Sequence, residues 1–288
     1  MTGFNRKEYR LSWPGHSLDL GKRTCIMGVL NMTPDSFSDG GRYFNKDKAI
    51  ERGISLVREG ADILDIGGES TRPYSESVPE EEEIERVAPV IEGLRKEIGI
   101  PISIDTCKAN VARQALNSGA SIINDISALR FDNSMASVAF QTGVPVILMH
   151  MQGTPGNMQA NPSYQSLIPD IMGFLKSVIE RGITAGIKRD MIIIDPGIGF
   201  GKTYEHNLRI IRDLKQFSLL DLPVLLGTSR KSFIGRILGK DPDERDIGTM
   251  ATVSAGIMNG AHIVRVHNVK MAVETAKVID EIINKDKV

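Results

Sequence analysis

The chain has 288 residues, 25% charged and 41% hydrophobic, so it is long and apolar enough to bury a sizeable core, and disorder is excluded as the default. Thirty-five Lys and Arg stand against 36 Asp and Glu, a formal net charge of −1, so no general field exists to hold nucleic acid or an anionic membrane and any phosphate chemistry must be local. Apolar runs such as 144–149 fall far short of the ~20 residues of a membrane-spanning helix, and Cys25 and Cys107 alone make neither a disulfide scaffold nor a Cys-built metal site.

Met1 to Glu8 is polar and mixed in charge, without an apolar signal region or an Arg/Ser-rich transit pattern, so a cytoplasmic location is expected. Residues 1–23 then read as a small hairpin, with Tyr9-Arg10-Leu11 and Ser17-Leu18-Asp19-Leu20 flanking Pro14-Gly15, placed to close a barrel floor. Eight apolar, β-branched runs follow, at 24–31, 62–67, 102–105, 121–124, 144–149, 191–195, 223–227 and 262–267. They are nearly continuous rather than alternating, as strands buried on both faces of a parallel sheet are. Helical signals lie between them, at 46–59, 79–97, 110–118, 133–142, 167–188, 207–216, 247–259 and 269–284. Eight such repeats predict an α/β chain forming one domain over 1–288: a (β/α)8 TIM barrel at 24–284 with an N-terminal β-hairpin closing its floor. A doubly wound open sheet is the alternative.

Barrel chemistry sits at the C-terminal ends of the strands. Each predicted strand ends in polar residues: Asn31; Glu69, Thr71 and Arg72; Asp105; Asn124 and Asp125; Met149 and His150; Asp195 before a Gly-rich turn; Ser229-Arg230-Lys231; and Arg265 with His267. For Asp65 and Asp125, capping of the next segment competes evenly with a ligand role. The Gly197–Thr203 stretch is neither a P-loop, since Pro196 occupies the first glycine position, nor a dinucleotide fingerprint, since Lys202 replaces a required glycine. Glu80 to Glu83 after Pro79 reads as an acidic helix start rather than a cation site.

Ordered motifs over roughly residues 24–280 resemble the dihydropteroate synthase family. They are Gly28-Val29-Leu30-Asn31-Met32-Thr33-Pro34-Asp35-Ser36-Phe37-Ser38-Asp39-Gly40-Gly41, Asp65-Ile66-Gly67-Gly68-Glu69-Ser70-Thr71-Arg72-Pro73, Ser103-Ile104-Asp105-Thr106, Ile123-Asn124-Asp125-Ile126-Ser127, Leu148-Met149-His150-Met151, Asp195-Pro196-Gly197-Ile198-Gly199-Phe200-Gly201-Lys202-Thr203, Gly227-Thr228-Ser229-Arg230-Lys231 and Arg265-Val266-His267. Tyr74-Ser75 and Asn268 depart from the family's common residues. The resemblance implies condensation of 6-hydroxymethyl-7,8-dihydropterin diphosphate with 4-aminobenzoate, with Mg²⁺, in a homodimeric barrel that sulfonamides target.

It also implies roles. Asp105, Asn124, Ile126, Met149, Asp195, Lys231 and Arg265 would bind the pterin, and the pairing chemistry agrees: a carboxylate such as Asp195 matches a ring N–H beside an exocyclic amine. Asn31, Thr71, Arg72, Arg265 and His267 would address the diphosphate, with Asn31 also meeting Mg²⁺. Phe37, Thr71, Pro73, Phe200, Ser229 and Lys231 would frame 4-aminobenzoate, beneath lids formed by 32–44 and 69–78. Asp105, Lys231, Arg265, His267 and Arg72 would carry the catalysis, a dissociative loss of pyrophosphate followed by amine attack. A methyl-transferring pterin barrel, a Schiff-base aldolase using Lys231 and a binding-only barrel remain open at this point.

Overall fold

Cys25–Asn31, the first apolar run, forms the opening stave (β3) of a closed parallel barrel in the computed structural model, which describes residues 6–32, 45–70, 75 and 77–284. The other staves are β4 (Ile63–Gly67), β5 (Ile102–Asp105), β6 (Ile122–Asp125), β7 (Val146–Met149), β8 (Ile192–Asp195), β9 (Leu225–Leu226) and β10 (Ile263–Val266). Their order is β8-β7-β6-β5-β4-β3-β10-β9, and a single parallel bridge, Ile194 to Val224, joins the two ends. The open-sheet alternative is thereby excluded. Both faces of these strands are buried, the inner by barrel side chains and the outer by helices, which is why they carry continuous Ile, Val and Leu.

The helices are α1 (Lys46–Arg58), α2 (Glu80–Glu97), α3 (Ala109–Asn117), α4 (Met135–Thr142), α5 (Leu167–Thr184), α6 (Tyr204–Arg212), α7 (Ser232–Leu238), α8 (Asp246–Met258) and α9 (Val269–Asn284). Local chemistry fixes several ends. The Asn45 side chain accepts from Lys48 N–H to cap α1, Thr203 and His206 form a reciprocal cap on α6, and Gly143 closes α4 in a left-handed conformation. Glu80 to Glu83 occupy the first turn of α2, as expected from the helix dipole.

Three departures from expectation exceed two residues. The helical segment at 167–188 stops at Thr184, where Gly186 takes a positive φ. The segment at 207–216 starts earlier, at Tyr204, because the Thr203 cap sets it, and the chain continues from Leu214 as a 3₁₀ turn. The seven-residue α7, too short to show a full apolar period, was not expected.

The hairpin is present as β1 (Tyr9–Trp13) and β2 (His16–Leu20), antiparallel, with Leu11, Trp13, Leu18 and Leu20 buried in the main core. It lies at the strand starts. The Tyr9 ring meets the His262 ring at 5.2 Å, His262 Nε2 lies 3.0 Å from the Lys7 carbonyl, and Arg6 bonds to Thr24, to the Ala261 carbonyl and to Asp280 on α9.

Candidate functional site

Opposite the hairpin, the strand ends bring buried Asp105, Asn124 and Asp195 together with half-buried Lys231 and Arg265 in one cluster. Strand register explains part of this convergence: Gly67, Asp105 and Asn124 are successive partners across β4, β5 and β6, and Met149 pairs with Asp195 across β7 and β8. Arg265 Nη2 bonds to Asp105 Oδ2 at 2.7 Å, while its Nε bonds to Asp65 Oδ2 at 2.6 Å. The same Asp65 oxygen accepts from Asn124 Nδ2 at 3.1 Å. Asp65 is therefore a buried binder of other site residues and not a cap. One oxygen of Asp65 and one of Asp105 have no hydrogen-bond partner among the described residues.

Taking this many charged groups out of water shifts their protonation. Burial pushes Asp105 up to about 7, reinforced by Asp65 and opposed by Arg265. Burial likewise raises Asp195 to about 6, against the Gly197 N–H, which donates to its Oδ1 at 2.7 Å, and against the Lys231, Lys202 and Arg265 charges. Lys231 falls to about 8 through burial and the Arg265 charge. Arg265 stays cationic: burial works against its charge, but Asp65 and Asp105 hold its pKa above the usual value.

A separate apolar cluster lines the same end of the barrel, formed by Ile126, Met149, Met151, Met158 and Phe200, with Cys107 packed against it. Lys231 Nζ lies 4.2 Å from the Phe200 ring centroid, a cation–π arrangement. The geometry thus places Phe200 with Ile126 and Met149, and Lys231 over the Phe200 ring. Carboxylates, an amide, a lysine and flat apolar walls together can grip a planar, polar-edged ring.

Three loops carry further structure. Ser229 Oγ accepts from the His267 backbone N–H at 3.2 Å and sits 2.9 Å from its Nδ1. The two contacts tie the His267 ring and backbone to the loop after β9. Arg230, in a left-handed conformation, turns away to Asp246 and Asp243, so the Ser-Arg-Lys motif splits into two site residues around one structural residue. Asn268, the departure after His267, bonds to Asp246 through Nδ2 and accepts from the Met271 N–H at the start of α9.

Asp125 takes the structural option: its oxygens accept from the Ser127 and Leu129 N–H groups at 2.8 and 2.7 Å and brace a turn in which Ala128 and Leu129 have positive φ. His150 turns from the slot toward buried Lys202. Lys108 ties the loop after β4 to α2, bonding to Glu69, to Glu83 at 2.6 Å and to the Val78 carbonyl at 2.6 Å. Asn31 stands half-buried at the end of β3. Phe37, Thr71, Arg72 and Pro73 lie outside the described residues, as does Tyr74, while Ser75 donates to the Ser70 carbonyl.

Sequence reasoning left Asp65 open between a capping and a ligand role, and it missed Lys202 and the Lys108–Glu83 pair as parts of this region. The available signal for Asp65 was a carboxylate inside an otherwise apolar strand, where an unpaired charge would be prohibitive.

The pterin binding enzyme family matches residues 27–267. The chain is 50% identical over 269 residues to the dihydropteroate synthase of Bacillus subtilis (strain 168), covering 93% of this chain and 92% of that one. It is 43% identical to the dihydropteroate synthase of Escherichia coli (strain K12), covering 92% and 94%. Among solved structures it resembles the Yersinia pestis dihydropteroate synthase in a sulfonamide drug complex, with a TM-score of 0.89, 44% identity and coverage of 95% and 98%. A Xanthomonas albilineans dihydropteroate synthase in complex with 7,8-dihydropteroate gives a TM-score of 0.85 at 38% identity, with coverage of 95% and 98%.

Proposed function

The chain belongs to the dihydropteroate synthases of the pterin-binding enzyme family, and from that premise we propose how its residues divide the reaction. It condenses 6-hydroxymethyl-7,8-dihydropterin diphosphate with 4-aminobenzoate to dihydropteroate and pyrophosphate, and it is a sulfonamide target. The observation that carries the division of labour is the cluster of buried Asp105, Asn124 and Asp195 with half-buried Lys231 and Arg265, in which one Asp105 oxygen has no partner among the described residues.

In this reading the pterin lies against Ile126, Met149 and the Phe200 edge. Asp195 accepts from the ring N–H and the exocyclic amine, Asn124 and Asp105 pair with the remaining ring edge, and Lys231 donates to the ring carbonyl and N5. Each polar group left unpaired in such a slot costs about 1–3 kcal/mol, so the slot selects for the pterin pattern. Pyrophosphate leaves with the electron pair of the C–O bond, toward Arg265, His267 and Arg72, where positive charge stabilises the departing anion more than the ground state. The cationic pterin methylene is stabilised by ring conjugation and by Asp105. The amine lone pair of 4-aminobenzoate then forms the C–N bond and its proton goes to solvent. Ser229, Thr71, Phe37, Pro73, Phe200 and the Lys231 stem frame this second substrate.

Asn31 suits Mg²⁺, because an amide oxygen is a hard donor and Mg²⁺ takes most remaining ligands from phosphate and water. Among the described residues no group of three His, Cys, Asp or Glu side chains could hold a metal ion, which is compatible with a single protein ligand. When bound, the ion would neutralise diphosphate charge.

We further propose one domain over 1–288, a cytoplasmic location and a homodimer. No helix among the described residues is long and apolar enough to cross a membrane. The dimer is supported by exposed apolar side chains on neighbouring helices: Ile247 on α8 (72% exposed), and Val278 and Ile282 on α9, one turn apart.

Pyrophosphate release from the pterin diphosphate and Mg²⁺, with and without 4-aminobenzoate, tests the reaction. Release accelerated by 4-aminobenzoate with dihydropteroate formed is the expected result. Tight pterin binding with no release would overturn the assignment of the diphosphate residues.

A further inference from the structure

Asp65 interrupts the apolar strand β4 and is 0% exposed. A carboxylate at that depth persists only when it is compensated, and the two groups compensating it are both substrate-facing residues of the slot. Its Oδ2 holds Arg265 Nε at 2.6 Å and Asn124 Nδ2 at 3.1 Å. Around the barrel, β6 lies two strands from β4 in one direction and β10 two strands in the other. Side chains from alternate strands share a layer inside such barrels, so Asp65 stands midway between two groups that have no strand contact with each other.

This position sets how each partner faces the slot. With one Nδ2 proton given to Asp65, the plane of the Asn124 amide is set, leaving its carbonyl oxygen and its second Nδ2 proton for a ligand. With Nε on Asp65 and Nη2 on Asp105, the Arg265 guanidinium plane is fixed along one edge, leaving Nη1 and the flat face for substrate. We propose that Asp65 is a positioning residue for the pterin end of the reaction, fixing the amide of Asn124 and the guanidinium of Arg265 in their substrate-binding orientations. It rests on the pterin-slot assignment above.

Asp65 also belongs to the charge set around Asp105, whose other members are Arg265 from β10, Glu83 from α2, Asp125 from β6, Lys231 from the loop after β9 and neighbouring Cys107. Removing the Asp65 charge lowers the pH at which Asp105 ionises, because Asp65 holds that carboxyl up.

The test is Asp65→Asn, nearly isosteric but neutral, measured by calorimetry with the pterin diphosphate and by steady-state kinetics. The expected result is a pterin Kd and KM raised about tenfold or more, a 4-aminobenzoate KM within twofold of wild type, and the pH midpoint of pterin binding moved down. If that variant does not fold, Asp65→Glu, which keeps the charge but displaces it by one methylene, should show the same split between substrates. Wild-type protein that binds no pterin would remove the slot assignment itself. Wild-type binding with both the variant's pterin affinity and its pH midpoint unchanged would overturn the role of Asp65 alone. Equal weakening of both substrates would also overturn it, since general loosening has no preference for one end of the site.

Discussion

Nζ of Lys202 lies 2.8 Å from Nδ1 of His150, and both side chains are buried. Nζ also donates to the carbonyls of Phe200 and His150, at 2.9 and 3.2 Å. Burial pushes Lys202 well below the usual lysine range, and burial beside Lys202 pushes His150 down to about 2. This pair fastens the Gly-rich turn after β8 to the end of β7, directly behind Asp195 and Phe200.

Replacing Lys202 by Met should therefore destabilise the protein by about 2–3 kcal/mol, because one imidazole nitrogen and two carbonyls lose a buried partner. Urea unfolding measures it. A change within 0.5 kcal/mol, about the spread of ordinary surface substitutions, would show that the turn holds without the lysine.

Gly197 predicts a sharper loss. It has φ +71°, and an added Cβ would lie 1.9 Å from the His150 carbonyl oxygen. The Gly197 N–H also anchors Asp195. Gly197→Ala should cost about 2 kcal/mol or more from backbone strain and clash and weaken pterin binding at least tenfold. Denaturation and calorimetry on one preparation read both effects.

Asp195→Ala should reduce pterin affinity by about 100-fold or more, corresponding to two hydrogen bonds to a charged group at about 1.5–3 kcal/mol each. Arg72→Ala should spare pterin affinity and depress turnover. Unchanged pterin binding in the first variant would refute the slot.

The unliganded protein should lose stability as pH rises from about 4 to about 7. Asp105 and Asp195 have raised folded values, about 7 and about 6, against an unfolded value near 3.8, so the folded state binds more protons across that window and stability falls with pH. Below it their contribution is fully present. Denaturant midpoints across pH 4–8 check the slope, and an Asp105→Asn/Asp195→Asn double variant should flatten it.

The barrel was legible from sequence because its strands are buried on both sides and end in polar residues: β5 spans the predicted 102–105, and β4 and β6 agree to within a residue of 62–67 and 121–124. The helix α7 was not, since its stop depends on Gly239 and its position on packing against α8. Site candidates such as Asp105 and Asn124 were visible as strand-end polar groups. Asp65 was ambiguous because capping and ion pairing look identical until the fold brings Arg265 beside it, at a separation of 200 residues. Lys202 was unreadable for the same reason: its side-chain partner, His150, lies on a different loop.

The hoop of staves is thinnest where β8 meets β9, a two-residue strand joined to its neighbour by the lone Ile194–Val224 bridge. Asp195 stands on one lip of that seam and Lys231 follows the other. A ring gripped by both would act as a clasp across the weakest joint, so occupancy of the site should tighten the whole hoop. Amide exchange at Ile194 and Leu225 would then slow on pterin binding far more than exchange at the three- to five-rung joints from β3 to β8. Substrate affinity and barrel rigidity become two readings of one mechanical link.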